Sequence, residues 1–107
     1  MTKAKFLFSE DTVVSFEISG HTGAGEQGSD IVCSAVSSAA YMAANTIIEI
    51  MGLSPKTEVR DGYMCVTMNS HDARKAKFLT DGLYLHLKEL AGQYPDNLKI
   101  ERGVFDA

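Results

Sequence analysis

Residues 19–35 read SGHTGAGEQGSDIVCSA, and two architectures can be drawn from them. Residues 23–28, Gly-Ala-Gly-Glu-Gln-Gly, match G-x-G-x-x-G after a strand and before a helix, the fingerprint of a dinucleotide-binding turn in a parallel βαβ unit. The surrounding residues oppose that reading. The strand in front belongs to a hairpin, and Glu26 sits where a pyrophosphate would lie and repels it. The acid expected about twenty residues on to hold a ribose can only be Glu49, inside a helix. A nucleotide-binding domain is therefore the lesser alternative. The second architecture makes residues 22–28 (Thr22, Gly23, Ala24, Gly25, Glu26, Gln27 and Gly28) a mobile connection between a hairpin strand and a helix. Gly23, Gly25 and Gly28 have no side chains to pin it. Such a segment is either a plain surface loop or a lid beside an active site.

Working outward, residues 3–8 (KAKFLF) and 12–18 (TVVSFEI) read as two strands joined by the turn residues SEDT. A helix is expected from about Asp30 to Met51, closed by Gly52 as C-cap and by Pro55 beyond it. Residues 56–60 and 63–68 read as a second hairpin around Asp61-Gly62. Ser70 is the expected cap of a second helix, with Asp72 in its first turn. Ala76, Leu79, Leu83, Leu87 and Leu90 form its buried stripe, and Gly92 and Pro95 end it. Residues 97–103 complete the order strand-strand-helix-strand-strand-helix-strand. The expected fold class is α+β: a two-layer sandwich of about five mainly antiparallel strands with two helices on one face. The other sheet face is left to solvent or to a second copy. A chain of 107 residues implies one domain over residues 1–107 with one modest core.

Apolar residues make up 45% and charged residues 22% of the chain, an ordinary globular profile. The formal net charge of -4 argues against a nucleic-acid binder, whose affinity comes largely from basic groups on phosphates. No charged-then-apolar leader opens the chain, and the longest apolar run is far below the ~20 residues that span a bilayer. The expected setting is cytoplasmic, with reduced thiols and no membrane partner. Cys33, Cys65, His21, His71 and His86 have no zinc-site spacing, so no metal or other cofactor is expected.

Cys33 is the candidate nucleophile. With a helix starting near Asp30 it falls in the first turn, where unpaired N–H groups and the helix dipole favour a thiolate. Those N–H groups are also candidate oxyanion donors. His21, at the end of a strand, is the candidate base, and a loop of this length can fold back to bring the two together. The competing reading makes Cys33 core packing. Asp30 either stabilises the helix start or orients His21. Ser37, one turn after Cys33 on the same face, either contacts substrate or bonds its own helix. Cys65, mid-strand, reads as core; His71 and His86 read as surface.

Gly20-His21, followed by Gly28 through Ser37 (GSDIVCSAVS), resembles the ribosomal-processing cysteine proteases called Prp. Several separated positions agree at fixed spacing, with a looser likeness outside residues 20–52. The resemblance implies a bacterial endopeptidase that removes a short N-terminal extension from one large-subunit ribosomal protein, the twenty-seventh. It implies a Cys–His pair beside a mobile loop, and a homodimer. Carried onto this chain, Cys33 is the nucleophile, His21 the base, and Gly20, Asp30 and Ser37 the supporting residues. Ser34 stands where alanine is common. An acidic chain suits a basic ribosomal protein. The alternative is a non-catalytic, ribosome-associated dimeric binding module.

Overall fold

Alternation along the chain builds the sheet. In β1 (Thr2–Ser9), Ala4, Phe6 and Phe8 are buried while Lys3 and Lys5 are exposed, the period-two pattern of a strand with one covered face. β2 (Thr12–Ser19) pairs with it antiparallel, setting Phe6 opposite Phe16 and Ala4 opposite Ile18. Residues 1–20 and 27–105 are described in the computed structural model. The remaining elements are α1 (Gln27–Asn45), continued by a π-helical turn (Thr46–Ile50), then β3 (Lys56–Arg60), β4 (Tyr63–Thr67), α2 (Ser70–Lys75), α3 (Lys77–Gln93) and β5 (Leu98–Val104).

The strands form a sheet in the order β3-β4-β2-β1-β5. β1–β2, β2–β4 and β3–β4 are antiparallel, and β1–β5 is parallel. The expected α+β sandwich is present, with a mixed sheet. Both neighbours of β2 run antiparallel to it. The strand before the glycine-rich segment is therefore not the first strand of a parallel βαβ unit, and the dinucleotide reading loses the context it requires.

The core lies between the sheet and the helices. Val32, Val36, Ala40, Ala43 and Ile47 form the buried stripe of α1 and its continuation, and Leu83 and Leu87 that of α3. Small residues on α1 let it sit close to the sheet. Phe6 and Phe16 stack at 6.4 Å, and the Tyr84 ring meets Phe6 edge-on at 4.9 Å. Each fully buried large side chain contributes about 1.5–3 kcal/mol.

Several boundaries differ from expectation for identifiable reasons. α1 starts at Gln27 rather than Asp30, so Gln27 and Gly28 belong to the helix and not to the preceding connection. Near its end, Thr46 Oγ1 donates to the Met42 carbonyl at 2.8 Å, and Met51 N–H reaches the Thr46 carbonyl at 2.8 Å. The side-chain bond to the preceding turn competes with the regular ladder, and the last turn widens into π geometry. The second helix is capped by Asn69, not Ser70. Asn69 has extended backbone, and its side chain accepts the Asp72 N–H at 2.8 Å. It also breaks at Ala76, giving α2 and α3. α3 runs through Gly92 and stops before Tyr94, whose helical conformation is disfavoured by the following Pro95.

The expectation that no segment approaches bilayer-spanning length fails at Ile31–Ile50, 20 helical residues with mean hydropathy 1.5. Ser and Ala interrupt strictly apolar runs without lowering the mean far. In this fold the segment is a core helix, its Val32–Ile47 stripe packed on the sheet. Cys65 also departs from its expected place. It lies on the sheet face away from the helices, half-buried, with Ser15 Oγ 3.7 Å from its sulfur. Ser15 and Thr67 share a 3.0 Å hydroxyl hydrogen bond on the same face.

Candidate active site

Cys33, Ser37 and Tyr41 recur every four residues along α1 and share one face. That face looks onto one end of the sheet. There, Thr2, Ile18, Ser19, Tyr63 and Met64 close a cleft of about 110 Å³ with them. The β3–β4 turn supplies the remaining wall. Gly62 has φ +73, which the tight turn requires and which Gly tolerates without strain. The turn brings Arg60 onto Tyr63, guanidinium carbon 3.9 Å from the ring centroid. Arg60 Nη1 also donates to Glu58.

Tyr63 is fixed from the other side as well. Its phenol donates to Glu17 Oε2 at 2.9 Å. The hydrogen bond to that carboxylate, then partial burial, push the Tyr63 pKa up to about 12. At neutral pH Tyr63 is a protonated donor already engaged with Glu17. Its side chain lies on the sheet face of Glu17 and Cys65 and does not serve as a base.

Gly20 follows Ser19, the last residue of β2 and a lining residue of the cleft. Its φ is +89, and a Cβ placed there would lie 2.2 Å from the Met1 carbonyl oxygen. Only glycine lets the chain leave β2 across the start of β1 on its way to residue 21. Gly20→Ala is expected to lose about 1–3 kcal/mol of stability from the strained backbone alone, and activity with it. Denaturant midpoints test this. A Gly20→Ala protein as stable and as active as the parent contradicts the role.

The structure places the other sequence candidates unevenly. Cys33 and Ser37 come together in the cleft. With α1 starting at Gln27, Cys33 falls in the second turn and not the first. The unpaired N–H groups and the strongest field belong to the first turn, and Cys33 lies one turn beyond them. Asp30 belongs to that first turn, and its side chain is outside the described set. His21, Thr22, Gly23, Ala24, Gly25 and Glu26 also lie outside the described residues. No disulfide joins Cys33 and Cys65. His71 and His86 are exposed, as expected.

Thr2, Tyr41, Arg60, Tyr63 and Met64 are cleft residues that sequence reasoning missed. Tyr41 carried a signal, two turns beyond Cys33 on the same helix face. The others reach the cleft through strand order, which no local pattern reveals.

The family model described as cysteine protease Prp matches residues 1–99. The chain belongs to the Prp cysteine protease family. The ribosomal processing cysteine protease Prp of Bacillus subtilis is 28% identical over 111 residues, covering 97% of this chain and 99% of that protein. Among solved structures, the Prp protease of S. aureus in complex with a substrate peptide superposes with TM-score 0.85 at 21% identity, covering 95% of this chain and 99% of that one. SMU.848 from Streptococcus mutans gives TM-score 0.82 at 27% identity, covering 98% and 96%. A second S. aureus Prp structure, with a covalently linked product peptide, gives TM-score 0.81 at 22% identity, again covering 95% and 99%. The Prp fold thus extends over nearly the whole of this chain, and the cleft with Cys33 is built from elements that the fold contains.

Proposed function

We propose that this chain is a cytoplasmic, homodimeric cysteine endopeptidase that removes the short N-terminal extension of a large-subunit ribosomal protein, the twenty-seventh. The observation that carries the reading is Cys33 in the wall of a cleft, within a chain of the Prp family. His21 follows directly on Gly20, whose required conformation sets the chain's departure from β2. In the proposed reaction His21 takes the Cys33 proton, and the sulfur attacks the scissile carbonyl carbon. As the tetrahedral adduct collapses, the C–N bond breaks and His21 returns the proton to the leaving amine. Water then hydrolyses the thioester and regenerates the thiol. Asp30 and Ser37 support the pair. The net charge of -4 favours encounter with a basic ribosomal protein.

Support for a peptide ligand comes from the S. aureus Prp structures, one with a substrate peptide and one with a covalently linked product peptide. The test is incubation with the full-length ribosomal protein, followed by intact-mass measurement. Loss of the mass of the N-terminal extension is expected. An unchanged mass, with binding retained, moves the chain to the non-catalytic binding module.

A further inference from the structure

The helix layer carries apolar side chains on its outer side. Phe78 is 94% and Leu85 58% exposed on α3. With Gly82 between them they recur at spacings of four and three, so the three share one face, turned away from the buried Leu83 and Leu87. Ile31 and Met42 are 64% and 55% exposed on α1. With Ala35 and Ser38 they make a second stripe on the side of α1 away from Cys33, and no residue from Ile31 to Ile48 is charged. α1 and α3 pack against each other over the same sheet face, so their outer sides form one surface. The open sheet face is opposite in character, with Lys3, Lys5 and Lys99 exposed.

Packing within the chain does not explain Gly82. Glycine is a poor helix former, and a Cβ there would meet nothing within 4 Å outside its own helix backbone, among the described residues. The fold has room for a side chain at this mid-helix position and carries none. Close approach by a second backbone gives the gap a use. A ring projecting at Phe78, one turn from a recess at Gly82, makes the face self-complementary, which a two-fold contact requires.

We infer that the outer face of the helix layer is where two copies of this chain pair, about a two-fold axis passing near Gly82. The inference rests on the homodimeric part of the proposed function and gives it a surface. The axis gathers Phe78 and Leu85 of both copies into one apolar cluster, which Ile31 and Met42 extend across α1. The size agrees. α3 has 17 residues, about 25 Å of helix, and two helices about 10 Å apart cover about 20 Å across. That footprint of about 500 Å², before side-chain relief, is the scale of the about 800 Å² per partner in a stable contact. A partner chosen by charge would need charged groups, and Phe78, Leu85, Ile31 and Met42 offer none. Cys33, Ser37 and Tyr41 line the cleft on another side of α1, so both clefts stay open in the pair.

The test is analytical ultracentrifugation of the full chain over a concentration series, for the parent, Phe78→Glu, Gly82→Gln and Val59→Glu. The parent is expected to sediment as a dimer. Phe78→Glu should weaken it by about 100-fold or more, since an aromatic anchor is lost in both copies and like charges face each other, with circular dichroism unchanged because Phe78 packs on nothing in its own chain. Gly82→Gln should also weaken the dimer, yet raise the thermal midpoint of the dilute, monomeric chain, because glutamine is the better helix former and the space is open. Val59→Glu is the control, an exposed apolar residue on β3, outside the helix layer, and should dimerise as the parent does. A dimer that Phe78→Glu leaves intact, or that Val59→Glu breaks equally, overturns the inference and keeps the homodimer. A parent that is monomeric throughout removes both. Cleavage of the ribosomal protein is read separately and bears on neither outcome.

Discussion

Cys33→Ala is expected to reduce cleavage by about 10⁵–10⁶-fold, the scale of removing a catalytic nucleophile when only binding and electrostatic contributions are left. The fold should survive. Cys33 is only half-buried, and the neighbouring stripe of Val32 and Val36 that packs α1 onto the sheet is untouched. Circular dichroism and a melting curve close to the parent's would separate lost chemistry from lost structure. Cys65→Ala is the matched control. Cys65 has similar burial but lies on the opposite sheet face near Ser15 and Thr67, so it should cleave at the parent rate. If Cys33→Ala retains cleavage, or if Cys65→Ala loses it while folded, the assignment of the nucleophile is wrong.

His21→Ala is expected to lower kcat by about 10²–10⁴-fold, the usual contribution of a positioned general base and acid. Added imidazole should restore part of the lost rate, because the missing group moves a proton and need not be covalently tethered. Rescue distinguishes this role from a structural one, which imidazole would not repair. Near-parent activity in His21→Ala would require another base. The structure offers poor replacements: His71 and His86 are exposed on α2 and α3, and neither lines the cleft.

Much of this was legible in the chain because it is local. The alternation in β1 and β2, the Asp61-Gly62 turn and the four-residue spacing of Cys33 and Ser37 each depend on neighbours a few residues away. What was not legible depends on competition or on distance. Ser70 and Asn69 are both good caps, and only the extended backbone at Asn69 decides between them. The π turn depends on a Thr46 hydroxyl choosing the Met42 carbonyl. Starting α1 at Gln27 places Cys33 about a turn further into the helix than the sequence indicates. Cys65 looked like core because its strand is apolar, yet its parity puts it opposite Glu17 and Glu58 on the uncovered face. Thr2, Ile18 and Met64 come beside Cys33 through the order β3-β4-β2-β1-β5. That order is set by which hairpins pair, so the cleft's walls were invisible while its nucleophile was not.

The central claim is that Cys33, in its cleft, is the residue that attacks the substrate. A peptide with the extension's sequence and a chloromethyl ketone in place of the scissile bond tests it most directly. After reaction at neutral pH, intact mass and peptide mapping locate the adduct. The account predicts one adduct per chain, on Cys33, blocked by excess uncleavable substrate peptide. An adduct on Cys65, or labelling of Cys33 that the competing peptide leaves unchanged, would contradict it.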